Sequence, residues 1–220
     1  MAQDPKSSDA ITINQTSAVV LIVDDDELVR TSLDSLVRSA GYRSLVYASA
    51  GELLESRLPE TACCLITDIR LPRLSGLDLQ RELTRRGERL PVIFMTGHGD
   101  IPMSVRAMKA GAVDFLPKPF RDQDLLDAIC VALELDAGNR KAADQLAEYR
   151  ARFALLTSRE HQVLTLVASG LLNKQAAAEL GLSEITIKLH RGHAMRKMGA
   201  RTLAQAVRML ESIERGAMPG

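Results

Sequence analysis

The stretch Val19-Val20-Leu21-Ile22-Val23-Asp24-Asp25-Asp26 decides the architecture of the first half of this chain. Five continuous apolar residues that break into three carboxylates read as a strand covered on both faces. Similar short runs return downstream at Ser44–Tyr47, Cys63–Thr67, Val92–Thr96 and Val113–Leu116. Longer segments with helical spacing lie between them, carrying Val29, Leu33, Leu36 and Val37, then Leu77, Leu79 and Leu83, then Leu125, Leu126, Ile129 and Leu133. Five strands alternating with five helices predict a doubly wound α/β domain with a five-stranded parallel sheet over residues 18–137.

The chain has 220 residues, 46% of them hydrophobic and 25% charged, as in an ordinary globular protein of one to two domains. Its 28 basic and 28 acidic side chains balance, but not locally. Residues 18–137 hold 19 acids and 14 bases, net −5, whereas residues 138–220 hold 7 acids and 13 bases, net +6. Halves of opposite sign suggest two domains with different partners, the basic one a candidate for nucleic acid. Three Tyr, four Phe and no Trp argue against a single-strand platform, which stacks bases on exposed rings. Cys63 and Cys64 are neighbours, with α-carbons about 3.8 Å apart, too close for ordinary disulfide geometry. With Cys130 they also lack metal spacing, and all three read as core thiols of a reducing compartment. No apolar run approaches the ~18–20 residues of a membrane span. Residues 1–17 are polar, lack the pattern of a secretory signal and read as a mobile tail. The expectation is a cytoplasmic protein with no membrane partner.

After Ala137 the pattern changes. Residues 138–152 are charged, Ala-rich and free of Pro, which predicts a helical linker. Residues 153–220 show no strand-like alternation. Thr157 with Glu160 is a capping box opening a helix to about Gly170. Asn173–Leu180 forms a short second helix that Gly181 stops. Ser183 caps a third helix to about Met198, and Thr202 opens a fourth reaching about Arg215. A helix, a tight Gly turn and another helix form a helix-turn-helix layout within a separate all-α, four-helix domain.

Ligands of an open parallel sheet bind beyond the carboxyl ends of its strands. The first strand ends in Asp24-Asp25-Asp26, the third in Asp68, the fourth in Thr96 and the fifth in Leu116-Pro117-Lys118. Singly, these read as a solvated turn, a helix cap, a strand end and a surface charge. Together they bring carboxylates, a hydroxyl and an ammonium to one rim. Clustered carboxylates suit a hard cation such as Mg²⁺, and the Lys and Thr beside them suit a phosphoryl group.

The blocks LIVDDDELVR, LITDIRLPRLSGLDL, VIFMTGHGD and AMKAGAVDFLPKPF together resemble a response-regulator receiver domain over residues 18–137. The resemblance implies a flavodoxin-like fold, Asp68 as phosphoacceptor, and Thr96 and Lys118 on the phosphoryl oxygens. It implies Mg²⁺ held by Asp25, Asp68 and the backbone carbonyl of Arg70, with Asp24 acting through water. Thr96 and Phe115 would be the switch pair, and the Lys118–Pro119 bond would be cis. Asp26 extends the acidic pair as in the FixJ-like branch and receives no ligand role. His98, in a Gly-flanked loop, reads as a loop residue and not a base.

The stretch from Leu156 to Val207 resembles the LuxR-type helix-turn-helix, and the whole chain is similar to FixJ-like regulators. This implies a recognition helix at Ser183–Met198 lying in the major groove. Apolar spacing predicts that Ile185 and Leu189, with Met195 or Met198, face inward, and that Thr186, Lys188 and Arg191 face outward. By resemblance Lys188 and Leu189 match positions facing base edges, Thr186 lies among the contacts, and Arg191 is a phosphate candidate. Gly192 stands where some relatives carry a basic reader. Met195, Met198 and Met209 read as core packing. The implied function is that of a two-component response regulator and not an enzyme. A sensor histidine kinase would phosphorylate it, and the phosphorylated homodimer would bind double-stranded promoter DNA, with RNA polymerase a further candidate partner. The competing readings are a Mg²⁺-dependent aspartyl-phosphate phosphatase or phosphotransferase, which leaves the C-terminal helices without a purpose, and a phosphorylation-independent DNA-binding protein.

Overall fold

The computed structural model describes residues 18–97 and 101–216. The tail at 1–17 and His98 lie outside the described residues. The first half runs β1 (Val19–Val23), α1 (Glu27–Ser39), β2 (Arg43–Tyr47), α2 (Ala50–Glu55) and β3 (Cys63–Asp68). It continues through α3 (Gly76–Arg85), β4 (Val92–Thr96), α4 (Ile101–Lys109) and β5 (Asp114–Pro117). The strands are all parallel, in the order β2-β1-β3-β4-β5. Strand order reverses beside β1, where a crevice opens at the carboxyl ends. The register pairs Val23 with Thr67 and Asp68 with Met95, which sets Asp24 and Asp68 at neighbouring strand ends.

The period-2 geometry of β1 divides its side chains between two cores. Val20 and Ile22 pack with Leu33 and Val37 of α1 and with Leu125, Ile129 and Leu133. Val19, Leu21 and Val23 pack with Leu53 of α2 and with Leu79 and Leu83 of α3. Each such fully buried aliphatic contributes about 1.5–3 kcal/mol, so a run without a polar residue is what a two-sided sheet requires. Cys63 and Cys64 are buried as expected, and burial pushes the Cys63 thiol up to about 11. Cys130 is not: it is exposed on α5 (Asp122–Ala154), whose buried stripe is Leu125, Ala128, Ile129, Ala132 and Leu133. Position 130 falls outside that stripe, so the reading of three core thiols is corrected to two.

The helix α5 runs for 33 residues and includes the expected connector at 138–152. Two compact units divide after Arg140. In the first, buried Asp136 accepts from the Cys63 N–H at 2.9 Å and from Arg140 Nε at 2.6 Å. Arg140 also donates to the Glu60 carbonyl at 3.0 Å, which fastens this turn of α5 to the amino end of β3.

The second unit contains the end of α5 and α6 (Ser158–Ala168), α7 (Asn173–Leu180), α8 (Glu184–Met198) and α9 (Leu203–Arg215). Leu164, Val167, Ala194, Met198 and Met209 form one core, against which Tyr149, Phe153 and Met195 pack. A smaller cluster joins Val163, Ala176, Ala177 and Ile187. Gly181 ends α7 in the left-handed conformation, φ 65°, which a side chain would strain. The capping box is present: the Thr157 N–H donates to Glu160 Oε2 at 2.8 Å and the Glu160 N–H to Thr157 Oγ1 at 3.3 Å. Lys197 Nζ of α8 reaches the same carboxylate at 2.6 Å.

Two expectations follow from this packing. The Gly76 N–H donates to the Ile69 carbonyl at 2.9 Å, so α3 starts hard against the end of β3. A β-carbon there would overlap the Asp68 carbonyl oxygen and press on Phe94 and Thr67, each at 3.2 Å. Gly76→Ala should therefore cost about 1–3 kcal/mol, read as a lower urea midpoint for the receiver transition. In the second unit, the hydrogen bond from Lys197, then that from the Thr157 N–H, hold the Glu160 carboxyl at about 2, below its ordinary 4.5. A depressed carboxyl stabilises fully above its unfolded pKa, and that contribution fades as pH falls from about 4.5 through about 2. Glu160→Gln should lower stability at pH 7 and flatten the acid limb of a thermal unfolding profile in that window.

Candidate functional sites: a carboxylate pocket and an outward helix face

The acidic triplet after β1 divides its labour. Asp26 caps α1, its side chain accepting from the N–H groups of Leu28 at 2.8 Å and Val29 at 3.3 Å. Asp25 is exposed at the rim, and Asp24 is buried. Lys118, just beyond β5, places its Nζ 2.9 Å from Asp24 Oδ2 and 2.8 Å from Asp68 Oδ2. One ammonium therefore bridges two carboxylates from adjacent strands. Burial opposes its charge, but the hydrogen bonds to Asp68 and then Asp24 outweigh that and hold Lys118 above its ordinary pKa. The other Asp68 oxygen accepts from the Arg70 N–H at 2.8 Å, so the carboxylate is oriented from both sides.

Thr96 is buried at the end of β4, and its carbonyl accepts the Lys118 N–H at 2.6 Å. The Lys118–Pro119 bond is cis. Phe115 of β5 is half-buried against the core on the α3 side of the sheet. Asp24, Asp68, Thr96 and Lys118 thus gather at one rim, with Asp25 and Arg70 exposed at its edge. Among the described residues no cluster of three or more carboxylate, His or Cys side chains would hold a metal by itself. The donors that the rim does offer, carboxylate and carbonyl oxygens, are of the type a hard cation takes.

Reasoning from strand ends missed Arg30. Its guanidinium, on the second turn of α1, donates to the Asp24 carbonyl at 2.7 Å and holds the acidic turn from behind. Arg30 sits in a helical segment, where a basic side chain reads as solvated, so no local signal marked it.

In the second unit, α8 buries Ile187, Ala194 and Met198, with Arg191 half-buried on the same side. This stripe has helical spacing and overturns the expected inward set in part. Ile185 is 81% exposed and Leu189 55% exposed, whereas Ile187 is fully buried. Ile185 and Leu189 each lie two positions from Ile187, which turns them to the opposite side of the helix, so hydrophobicity alone misassigned the face. Lys188 faces outward, as expected. Thr186 and Arg191 do so only partly. The Thr186 hydroxyl lies 2.8 Å from Ser183 Oγ, and Arg191 donates to Asn173 Oδ1 of α7 at 3.1 Å. Ser183 caps the helix, accepting from the Thr186 N–H at 3.2 Å.

Residues 20–130 match the response regulator receiver domain, and residues 154–210 match the bacterial regulatory proteins of the luxR family. Nodulation protein W of Bradyrhizobium diazoefficiens is 54% identical over 198 residues, spanning 90% of this chain and 87% of that protein. The transcriptional regulatory protein FixJ of Azorhizobium caulinodans is 42% identical over 193 residues, spanning 88% and 92%. The solved structure of the response regulator StyR shares 48% identity and superposes with a TM-score of 0.79 over 89% of this chain and 98% of that one. A strand-end carboxylate pocket joined to a luxR-type helical unit, with relatives alike over nearly the whole length, places the chain among the FixJ-like response regulators of two-component transcription control.

Proposed function

We propose that a sensor histidine kinase phosphorylates this protein on Asp68, and that the phosphorylated form dimerises and binds promoter DNA through α8. The observation that carries the reading is the Lys118 ammonium shared by Asp24 and Asp68 at 2.9 and 2.8 Å. It leaves Asp68 an oriented carboxylate beside a fixed positive charge, which is what a phosphoryl acceptor needs. In the transfer, an Asp68 oxygen attacks phosphorus of the phosphoimidazole. A P–O bond forms, the P–N bond breaks, and the imidazole nitrogen leaves with its electron pair. Asp25, Asp68 and the Arg70 carbonyl would hold Mg²⁺, with Asp24 through water. The ion supplies charge neutralisation between carboxylates and phosphoryl oxygens when bound.

The phosphoryl group adds roughly −1.5 to −2 charges and new acceptor oxygens. Thr96 would turn toward it and Phe115 inward behind it, repacking the surface of α4 and β5. Only a differential interaction of this kind shifts a conformational equilibrium. Two α8 helices held together would read half-sites about one helical turn apart, so dimerisation raises affinity through geometry. Residues 18–137 would serve as receiver, 138–152 as linker and 153–220 as DNA reader. The protein acts in the cytoplasm as a regulator without multiple turnover of a small substrate, and RNA polymerase is its downstream partner. Among the described residues, no helix is long and apolar enough to cross a membrane.

Asp68→Asn keeps the shape and removes the nucleophile, so label from acetyl phosphate with Mg²⁺ should vanish. Labelling of that variant at the wild-type rate would sink the pocket assignment. Lys188→Ala should cost about 1–3 kcal/mol on a specific duplex and little on random DNA. Arg191→Ala should weaken binding to every duplex and reduce the salt slope. Sedimentation with and without a phosphoryl mimic should show a monomer becoming a dimer; a monomer in both would refute the dimerisation step.

A further inference from the structure

The outward face of α8 carries two features that the chain's own packing does not require. Ile185 and Leu189 are large apolar side chains held 81% and 55% exposed, one turn apart. Gly192 follows them along the same face, since residues 185, 189 and 192 are separated by four and three positions. A glycine in a helix interior destabilises it relative to alanine, and is retained where a turn, a positive φ or a close neighbour demands it. None of these applies here. Gly192 lies well inside α8, is exposed, and a β-carbon added there would meet no atom within 4 Å. The fold itself does not ask for a glycine here, and its absent side chain leaves room for something to approach the helix closely along this face.

Charge identifies the occupant. Lys188 is exposed beside this face and Arg196 continues it, Arg191 and Lys197 are half-buried nearby, and the 138–220 segment carries net +6. A polyanion with an apolar component fits both the charge and the two bare side chains. The major groove supplies that combination, because thymine alone among the bases presents a methyl group there. We propose that Ile185 and Leu189 are specificity-determining residues that read thymine methyls in each half-site, and that Gly192 admits the helix to the depth at which they touch. The proposal rests on the DNA-binding reading above and adds to it the bases read and the manner of reading.

The test uses the full-length protein with acetyl phosphate and Mg²⁺, and a pool of duplexes with a randomised central segment. Enriched duplexes should contain fixed thymines, and each should then be replaced in turn by deoxyuridine, which lacks only the methyl. Removing one methyl should weaken wild-type binding about fourfold. Ile185→Ala should be indifferent to the replacement at one position and Leu189→Ala at another. Gly192→Ala should raise the melting temperature yet weaken binding about tenfold, opposite signs that a merely structural glycine would not give. Uracil replacements without effect, or a Gly192→Ala variant that binds as wild type, would overturn the proposal while leaving DNA binding intact. It also falls if Ile185→Ala and Leu189→Ala alter sedimentation of the free protein and not DNA affinity, because the face would then serve a second copy of the chain. A pool that enriches for nothing would overturn the DNA-binding reading together with it.

Discussion

Two carboxylates from neighbouring parallel strands cannot share a half-buried rim unless something neutralises them, and Lys118 does so from the end of a third strand. Removing Lys118 would leave the two carboxylates facing each other without a counter-ion at this rim. Much of the receiver serves this arrangement. The register of β1 on β3 brings Asp24 beside Asp68, and the start of α3 at Gly76 presses on the Asp68 backbone. The Arg30 guanidinium fixes the Asp24 carbonyl, and the Thr96 carbonyl fixes the Lys118 backbone. The Asp68 carboxylate is thus positioned by main chain at strand ends, which is a stiffer mount than any loop.

The helical unit is organised around a carboxylate too, but one committed to structure. Glu160 closes the capping box of α6, accepts Lys197 of α8 at 2.6 Å and has His193 at 3.8 Å. Its position fixes the rotation of α8 about its own axis. Together with Ile187, Ala194 and Met198 beneath the helix, it decides which residues point away from the core. Tyr149 and Phe153 close the same core from the end of α5, with the Phe153 and His161 rings edge-to-face at 4.8 Å. Tyr149, within the segment expected as linker, is thus a packed side chain in the fold.

The receiver was legible because its signals are local. Most strands are short apolar runs, and a polar residue stands at the end of four of them, so Asp24, Asp68, Thr96 and Lys118 could be collected at one rim without knowing any distance. The caps at Ser183, Thr157 and Gly181 were legible for the same reason. What escaped depended on rotation about a helix axis or on contacts far along the chain. Cys130 and the pair Ile185 and Leu189 were placed inside because apolar residues usually are, and α5 and α8 turn them out. The small Ala194, which carries the buried stripe between Ile187 and Met198, adds little to a hydrophobic pattern. Arg30 and the Asp136–Arg140 pair gave no signal, since a charged helix residue is ordinarily solvated. Their partners are backbone groups of Asp24, Cys63 and Glu60.

The separation of α8 into an inner stripe and an outer strip bears on how regulators of this kind diverge. Residues 185, 188, 189 and 192 are all exposed, so a duplicated gene can change this strip without disturbing the core beneath it. The receiver offers less latitude at its rim, where Asp24, Asp68 and Lys118 hold one another. After duplication, two copies would keep the same phosphorylation chemistry while their promoters drift apart, and new circuits would arise by altering a surface strip one turn after another.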